Sequence, residues 1–320
     1  MEDARLQASG LGLTVSGQYT SFVPWPGDRV VTTVVATPFR STRASDFSFP
    51  LVGRVPYKGF FDAQAAEAEA RKLRAAGFDT CVSPVTAYST LGWLNDPVTE
   101  PMLRASRGRI VEMVIHELVH ATIFVPDDAD FSESVATFVG QEAAVRFFSD
   151  RQQAALQRAR VHDSRLLARA LSRFENQIEA LYLSELPDED VQARRDQLEP
   201  KLRHRIAALP FQAHDPGSAA RLSRKIRLND ACLALRGTYA VDLPAFAERL
   251  ASLGGDLPAF VSQLREAALA EDPRQRFFRR AAGSEDPGSR AAPRAPRSSD
   301  ASAESPAHPK AARDTGQPSE

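Results

Sequence analysis

The chain has 320 residues, 43% of them hydrophobic, enough for one large domain or two small ones around a sizeable core. Forty Lys and Arg against 41 Asp and Glu leave a formal net charge of -1, so no global field recruits nucleic acid or an anionic membrane surface. No apolar run approaches the roughly eighteen residues of a transmembrane helix, and the start, MEDARLQASG, is charged and lacks the apolar segment of a secretory leader, so as written the chain reads as cytoplasmic.

Two cysteines, Cys81 and Cys232, belong to no CxxC pair. That argues against a cysteine metal site and a disulfide framework, and the expectation is a pair of ordinary core thiols. RVVTTVVAT at 29–37 is β-branched enough for a strand, and FDTCVSPVTAYST at 78–90 reads as a second, placed at an edge by its proline. Between them SFPLVGRVPYKGFF at 48–61 mixes Gly, Pro and aromatics, as an ordered loop or irregular strand does. AQAAEAEARKLRAA then makes a helix, with Asp62 as its cap and Gly77 just past its end.

From residue 103 the pattern turns helical. RIVEMVIHELVHATIF is apolar on nearly every face and predicts a buried helix; VPDDAD breaks it, and Asp128 or Asp130 can cap a second helix, FSESVATFVGQEAAVRFF. Residues 150–208, interrupted at SELPDED, predict a hairpin of two long amphipathic helices. Asp215 and Pro216 start one further helix through ARLSRKIRLNDACLALRGTYA. DLPAF at 242–246 and again at 256–260 reads as an Asp cap before a Pro-started helix, twice. Residues 283–320 contain no large aliphatic or aromatic side chain and are expected as a disordered tail behind a folded domain of residues 1–282.

The chemistry concentrates in one place. His116-Glu117-Leu118-Val119-His120 fits H-E-x-x-H, and two histidines four apart stand on one helical face, able to bring two imidazole nitrogens to one ion. Glu117 is turned by about 100° from His116, beside the ion without ligating it, where it can take a proton from metal-bound water. Three ionisable groups in one buried turn would otherwise each need a partner, because unpaired burial is costly. A hydrolytic zinc takes three protein ligands, and Glu133, embedded at the apolar edge of the second helix, is the third. Asp127, Asp128 and Asp130 sit in a turn that solvation and capping explain. Gly140 lets the two helices approach closely; Glu112, four residues before His116, can accept from a ligating imidazole or pair with Arg107 or Arg109.

HELVHATIFVPDDADFSESVATFVG at 116–140 resembles the metal-site signature of the bacterial putative aminopeptidases, in which H-E-L-x-H is followed by D-x-x-F-N-E-x-x-A-x-F-V. The similarity extends through FPLVGRVPYKGFFDAQAAEAEARKLRAAGFDTCVSPVTAYSTLGWLNDP and IRLNDACLALRGTYAVDLPAFAERLASLGGDLPAFV, covering most of residues 11–265. Ser132 stands where the family usually has Asn, and Asp230 where a second Asn is common. The resemblance implies an α+β, zincin-like metallopeptidase: a small mixed sheet on the H-E-x-x-H helix, a largely helical C-terminal half, bound zinc and a peptide or protein substrate. Members generally begin with a secretory or lipoprotein leader, which would put a chain with a longer start in the periplasm or on a membrane anchor. Tyr88 and Tyr239 match tyrosines of the family pattern and are candidates to stabilise the oxyanion. The competing reading is a zinc-stabilised interaction module that binds a partner through the 150–208 hairpin; it needs a fourth protein ligand, for which His162, His204 and His214 are the folded-region candidates.

Overall fold

The computed structural model describes residues 1–49, 53–87, 90, 95–240 and 242–279. The opening residues form α1 (Glu2–Gly10), whose Ala4 and Ala8 are buried in the main core. After β1 (Phe22–Val23) comes β2 (Val31–Thr37), buried along nearly its whole length. The aromatic-rich segment makes three short strands, β3 (Phe47–Phe49), β4 (Gly53–Val55) and β5 (Lys58–Phe60). Then α2 (Ala63–Ala75) begins where the Asp62 side chain accepts from Gln64 N, and ends before Gly77, whose φ of +87° an L side chain rarely adopts. β6 (Asp79–Val85) lies antiparallel to β2, with Cys81 opposite Val35 and Pro84 opposite Thr32. The strand order β5-β2-β6 leaves β6 at an edge, where a proline is tolerated.

Two further small pairings complete the β structure of the described residues: β3 with β4, and β1 in parallel with β7 (Val98–Thr99). One turn, α3 (Glu100–Leu103), leads to α4 (Arg107–His120), capped by Ser106. α5 (Ala129–Phe147) starts where Asp128 accepts from Phe131 N. The α4–α5 pair carries the main core, with Ile115, Leu118, Phe131 and Phe138 almost fully buried. Gly140 makes the approach possible: a Cβ there would lie 2.7 Å from the Glu112 carbonyl oxygen and 3.5 Å from His116 Cβ.

The hairpin is α6 (Arg151–Tyr182) and α7 (Asp188–Ala207), with its own core of Phe174, Ile178, Leu202 and Ile206. The single helix expected from Asp215 onward is instead two, α8 (Ser218–Lys225) and α9 (Asp230–Thr238). Local propensity favours helix throughout, but tertiary contacts win. Ile226 is extended and, with Leu228, enters the hairpin core, while Asn229 donates to Asp79 Oδ1 and the Thr80 carbonyl, each at 2.9 Å. Asp79 Oδ2 then accepts from Ala231 N at 3.2 Å, a cap supplied from the neighbouring strand.

Cys81 and Cys232 are bonded to each other. The expectation of free core thiols is therefore wrong: β6 and α9 pack side by side, and a separation of 151 residues in sequence hides a Cα–Cα distance of 5.0 Å. The DLPAF segments start α10 (Leu243–Ser252) and α11 (Leu257–Ala267). Asp256 caps as expected, accepting from Ala259 N, whereas Asp242 makes no side-chain cap and pairs with Arg274 at 3.3 Å. The last helix, α12 (Pro273–Phe278), brings Phe277 and Phe278 onto Phe246. The architecture is α+β, mostly helical with small sheets. No helix among the described residues is long and apolar enough to cross a membrane. The proposed tail at 283–320 lies outside the described residues.

Candidate metal centre

α4 sets His116 and His120 one turn apart, and the close approach at Gly140 brings Glu133 of α5 against both. Glu133 Oε2 lies 3.2 Å from His116 Nε2 and 3.4 Å from His120 Nε2, and the two nitrogens are 3.1 Å apart. His120 and Glu133 are buried and His116 is partly so. Glu133 Oε2 makes no hydrogen bond among the described residues, an expensive state for a buried carboxylate oxygen. Three donor atoms that converge in this way could hold a metal ion. The other carboxylate oxygen is occupied: Tyr57 Oη donates to Glu133 Oε1 at 3.2 Å.

The electrostatics follow from burial and crowding. Burial pushes the Glu133 carboxyl up, but the facing imidazoles of His120 and His116 outweigh it and hold it well below the usual carboxylate range. Burial pushes His120 down, Glu133 pulls it up, and the net shift is upward. Glu117 shifts opposite to Glu133: its burial dominates, only partly offset by the histidines, and its pKa is raised. Tyr57 and Tyr239 are both held far above the usual phenol range. For Tyr57 the main cause is the charge of Glu133, for Tyr239 its own burial, so both hydroxyls stay donors.

Glu117 and Tyr239 line the same cleft as His116, a space of about 480 Å³ bounded on one side by Ser83–Ala87 at the end of β6. The Tyr239 ring, at the C-terminal end of α9, has its centroid 6.3 Å from that of His116. Tyr88 lies outside the described residues. Glu112 takes the ion-pair alternative, bonded by Arg109 at 2.7 Å. Asp127 is turned away with φ of +61° and accepts from Arg54 N at 3.2 Å, while Asp128 caps α5. The remaining histidines sit elsewhere: His162 and His214 flank Asp163, and His204 borders a separate surface hollow on α7. A larger cavity, of about 760 Å³, contains the Tyr182–Asp230–Arg195 network, whose charges satisfy one another.

Tyr57 escaped the sequence reading. Its one signal was membership of an aromatic-rich segment between strands, and nothing local says that its hydroxyl reaches residue 133. The two family departures have structural partners: Ser132 Oγ bridges the Val125 amide and carbonyl, and Asp230 receives Tyr182 and Arg195.

Fold and site together define a largely helical α+β protein with an H-E-x-x-H helix whose histidines meet a glutamate from the next helix. The chain matches the family model described as "Putative aminopeptidase" over residues 3–278, and it belongs to that family. Comparison with curated proteins and comparison with solved structures found no match.

Proposed function

We propose that the protein is a zinc-dependent peptide hydrolase with a zincin-like helix pair, in which His116, His120 and Glu133 hold the metal and Glu117 is the general base. The observation that carries this is the convergence of the three donors. Their separations of 3.1, 3.2 and 3.4 Å are close to the roughly 3.3 Å edge of a tetrahedron of ligands at about 2.0–2.1 Å from zinc. A His₂Glu donor set also suits a hydrolytic zinc with one position left for water. Among the described residues no fourth His, Cys, Asp or Glu joins the group, which favours catalysis over the interaction module.

Bound zinc supplies Lewis acidity and makes water a better nucleophile near neutral pH. Glu117, next to His116 and raised in pKa, takes a proton from the attacking water as its oxygen adds to the scissile carbonyl carbon. The same carboxyl passes that proton to the leaving nitrogen as the C–N bond breaks, so acid and amine products balance. Tyr239, kept protonated by burial, donates to the developing oxyanion. Tyr57 fixes the carboxylate of Glu133. The Cys81–Cys232 bond supports an oxidising compartment such as the periplasm, against the cytoplasmic expectation.

Glu117→Gln tests the assignment, because it keeps the shape and removes the basicity. The variant should fold and retain stoichiometric zinc by elemental analysis, while cleavage of a mixed peptide library falls at least about a hundredfold. Parental cleavage rates in the zinc-loaded variant would refute it.

A further inference from the structure

Arg236 is a charge in the cleft that the proposed hydrolysis does not use. It stands in the last turn of α9 and lines the same space as His116, Glu117 and Tyr239. Tyr239 follows three residues later, so the two side chains leave one face of the helix about one turn apart, and the Tyr239 ring packs near His116. Arg236 forms no hydrogen bond or ion pair among the described residues. The carboxylates of the cleft are engaged elsewhere: Glu112 is held by Arg109, Glu117 is the proposed base, and Glu175 has a partner of its own. The charge that bears on Arg236 is a second cation, Arg227, which donates to the Val82 carbonyl on β6 at 2.6 Å. Although the residue is exposed, the cleft walls strip part of its water, and this loss together with the like charge of Arg227 lowers its pKa. A guanidinium stays charged all the same. A basic residue in a last turn suits the helix dipole, which accounts for its type but not for its direction into the cleft beside another arginine.

We infer that Arg236 receives a carboxylate of the peptide substrate, either an acidic side chain or the C-terminal carboxylate, close to the scissile bond; this rests on the peptidase reading above. One residue of extended peptide spans about 3.3–3.6 Å and one helical turn about 5.4 Å, so the carboxylate belongs about one or two residues from that bond. The planar guanidinium fork matches a carboxylate with two parallel hydrogen bonds. Met113, Leu167, Leu171 and Leu243 line the same cleft, and beside such apolar groups a charge pair is screened less than on open surface. A neutral peptide leaves the two arginines without a counter-charge, which selects against it.

The test uses a short neutral peptide with an amidated C-terminus. It is compared with its free-carboxylate form and with amidated versions in which Gln is replaced by Glu at each position in turn. Binding is measured by calorimetry on zinc-loaded Glu117→Gln protein, which should not turn the peptides over. At least one carboxylate form should bind about ten- to a hundredfold tighter than the neutral peptide, the range for hydrogen bonds to a charged group. A gain confined to the free-carboxylate form identifies the peptide end as the source; a gain at one Glu position identifies an acidic side chain. Adding Arg236→Gln should bring the carboxylate forms down to the affinity of the neutral peptide, with melting temperature and zinc content at parental values. Arg236→Glu should reverse the order and make the carboxylate form the weaker binder, which loss of a merely structural arginine would not do. No gain from any carboxylate, or a gain that survives Arg236→Gln, overturns the inference. If the parent protein hydrolyses none of the peptides, the peptidase reading fails, and the binding comparison still decides the role of Arg236.

Discussion

A Cβ on Gly140 would lie 2.7 Å from the carbonyl oxygen of Glu112, so α4 and α5 touch backbone to side-chain position with no space for a methyl group. Because the histidines belong to one helix and Glu133 to the other, this contact sets the donor separations. Gly140→Ala should wedge the helices apart, destabilise the protein by about 1–3 kcal/mol, and weaken zinc binding. Thermal unfolding and a zinc titration check both effects. Unchanged affinity would mean that the site does not depend on this approach.

The ligand assignment predicts opposite outcomes for two neighbouring carboxylates. Glu133→Ala should lose stoichiometric zinc. Asp127→Ala should keep it, because Asp127 faces Arg54 and not the histidines. Equal zinc content in the two variants by elemental analysis would remove Glu133 from the ligand set.

The two tyrosines are expected to separate by what they touch. Tyr57 bonds Glu133, so Tyr57→Phe should weaken zinc affinity about ten- to a hundredfold. Tyr239→Phe should leave zinc affinity unchanged and lower turnover by about ten- to a thousandfold. Competition with a calibrated chelator and steady-state kinetics distinguish them. A Tyr239→Phe enzyme with parental turnover would dispose of the oxyanion role.

What sequence made legible was local and periodic. His116 and His120 announce themselves by their four-residue spacing. Glu133 stands out as a carboxylate embedded at an apolar helix edge, and Gly140 as a glycine on the facing side. What it hid were long-range pairings. Tyr57 reaches residue 133 from an irregular segment without period. The break at 226–229 is imposed by Asp79 on another element, against a locally helical pattern. Cys81 and Cys232 meet because β6 and α9 pack together, which no spacing rule reports. Glu112 had three chemically reasonable partners, a ligating imidazole, Arg107 and Arg109, and only the geometry chose Arg109.

Asp163 offers a pH test away from the candidate metal centre. It is buried and accepts from Gln212 N at 2.8 Å, Ala213 N at 2.9 Å and His214 Nδ1 at 2.8 Å, with His162 Nδ1 at 3.4 Å. Burial pushes its carboxyl up, but these donors outweigh it and the pKa falls below the ordinary 3.8. A depressed carboxyl contributes stability in full above its unfolded value and loses it as pH falls through the lower folded value. Asp163→Asn should therefore cost about 1–3 kcal/mol at pH 6 and progressively less below about pH 4. His162 and His214, the titratable groups facing it, are left intact in this comparison. Urea unfolding of both proteins across that range gives the difference directly, and a gap that widens toward acid would contradict the assignment.

The Cys81–Cys232 bond joins residues 151 apart in sequence and ties the edge strand of the cleft to α9, the helix that ends at Tyr239. In the chain-entropy account, a loop of this order restricts the unfolded state by about 5 kcal/mol. For a domain of this size that corresponds to a fall in melting temperature on the order of ten degrees when the bond is lost. The proposed zinc ligands lie on α4 and α5, outside the bonded elements, so metal content should survive while the cleft wall loosens. A Cys81→Ala/Cys232→Ala double variant avoids thiol reductants, which would themselves bind zinc. It should melt well below the parent, keep stoichiometric zinc, and show a raised KM for peptides. An unchanged melting temperature would show that packing of α9 on β6 holds the wall without the bond.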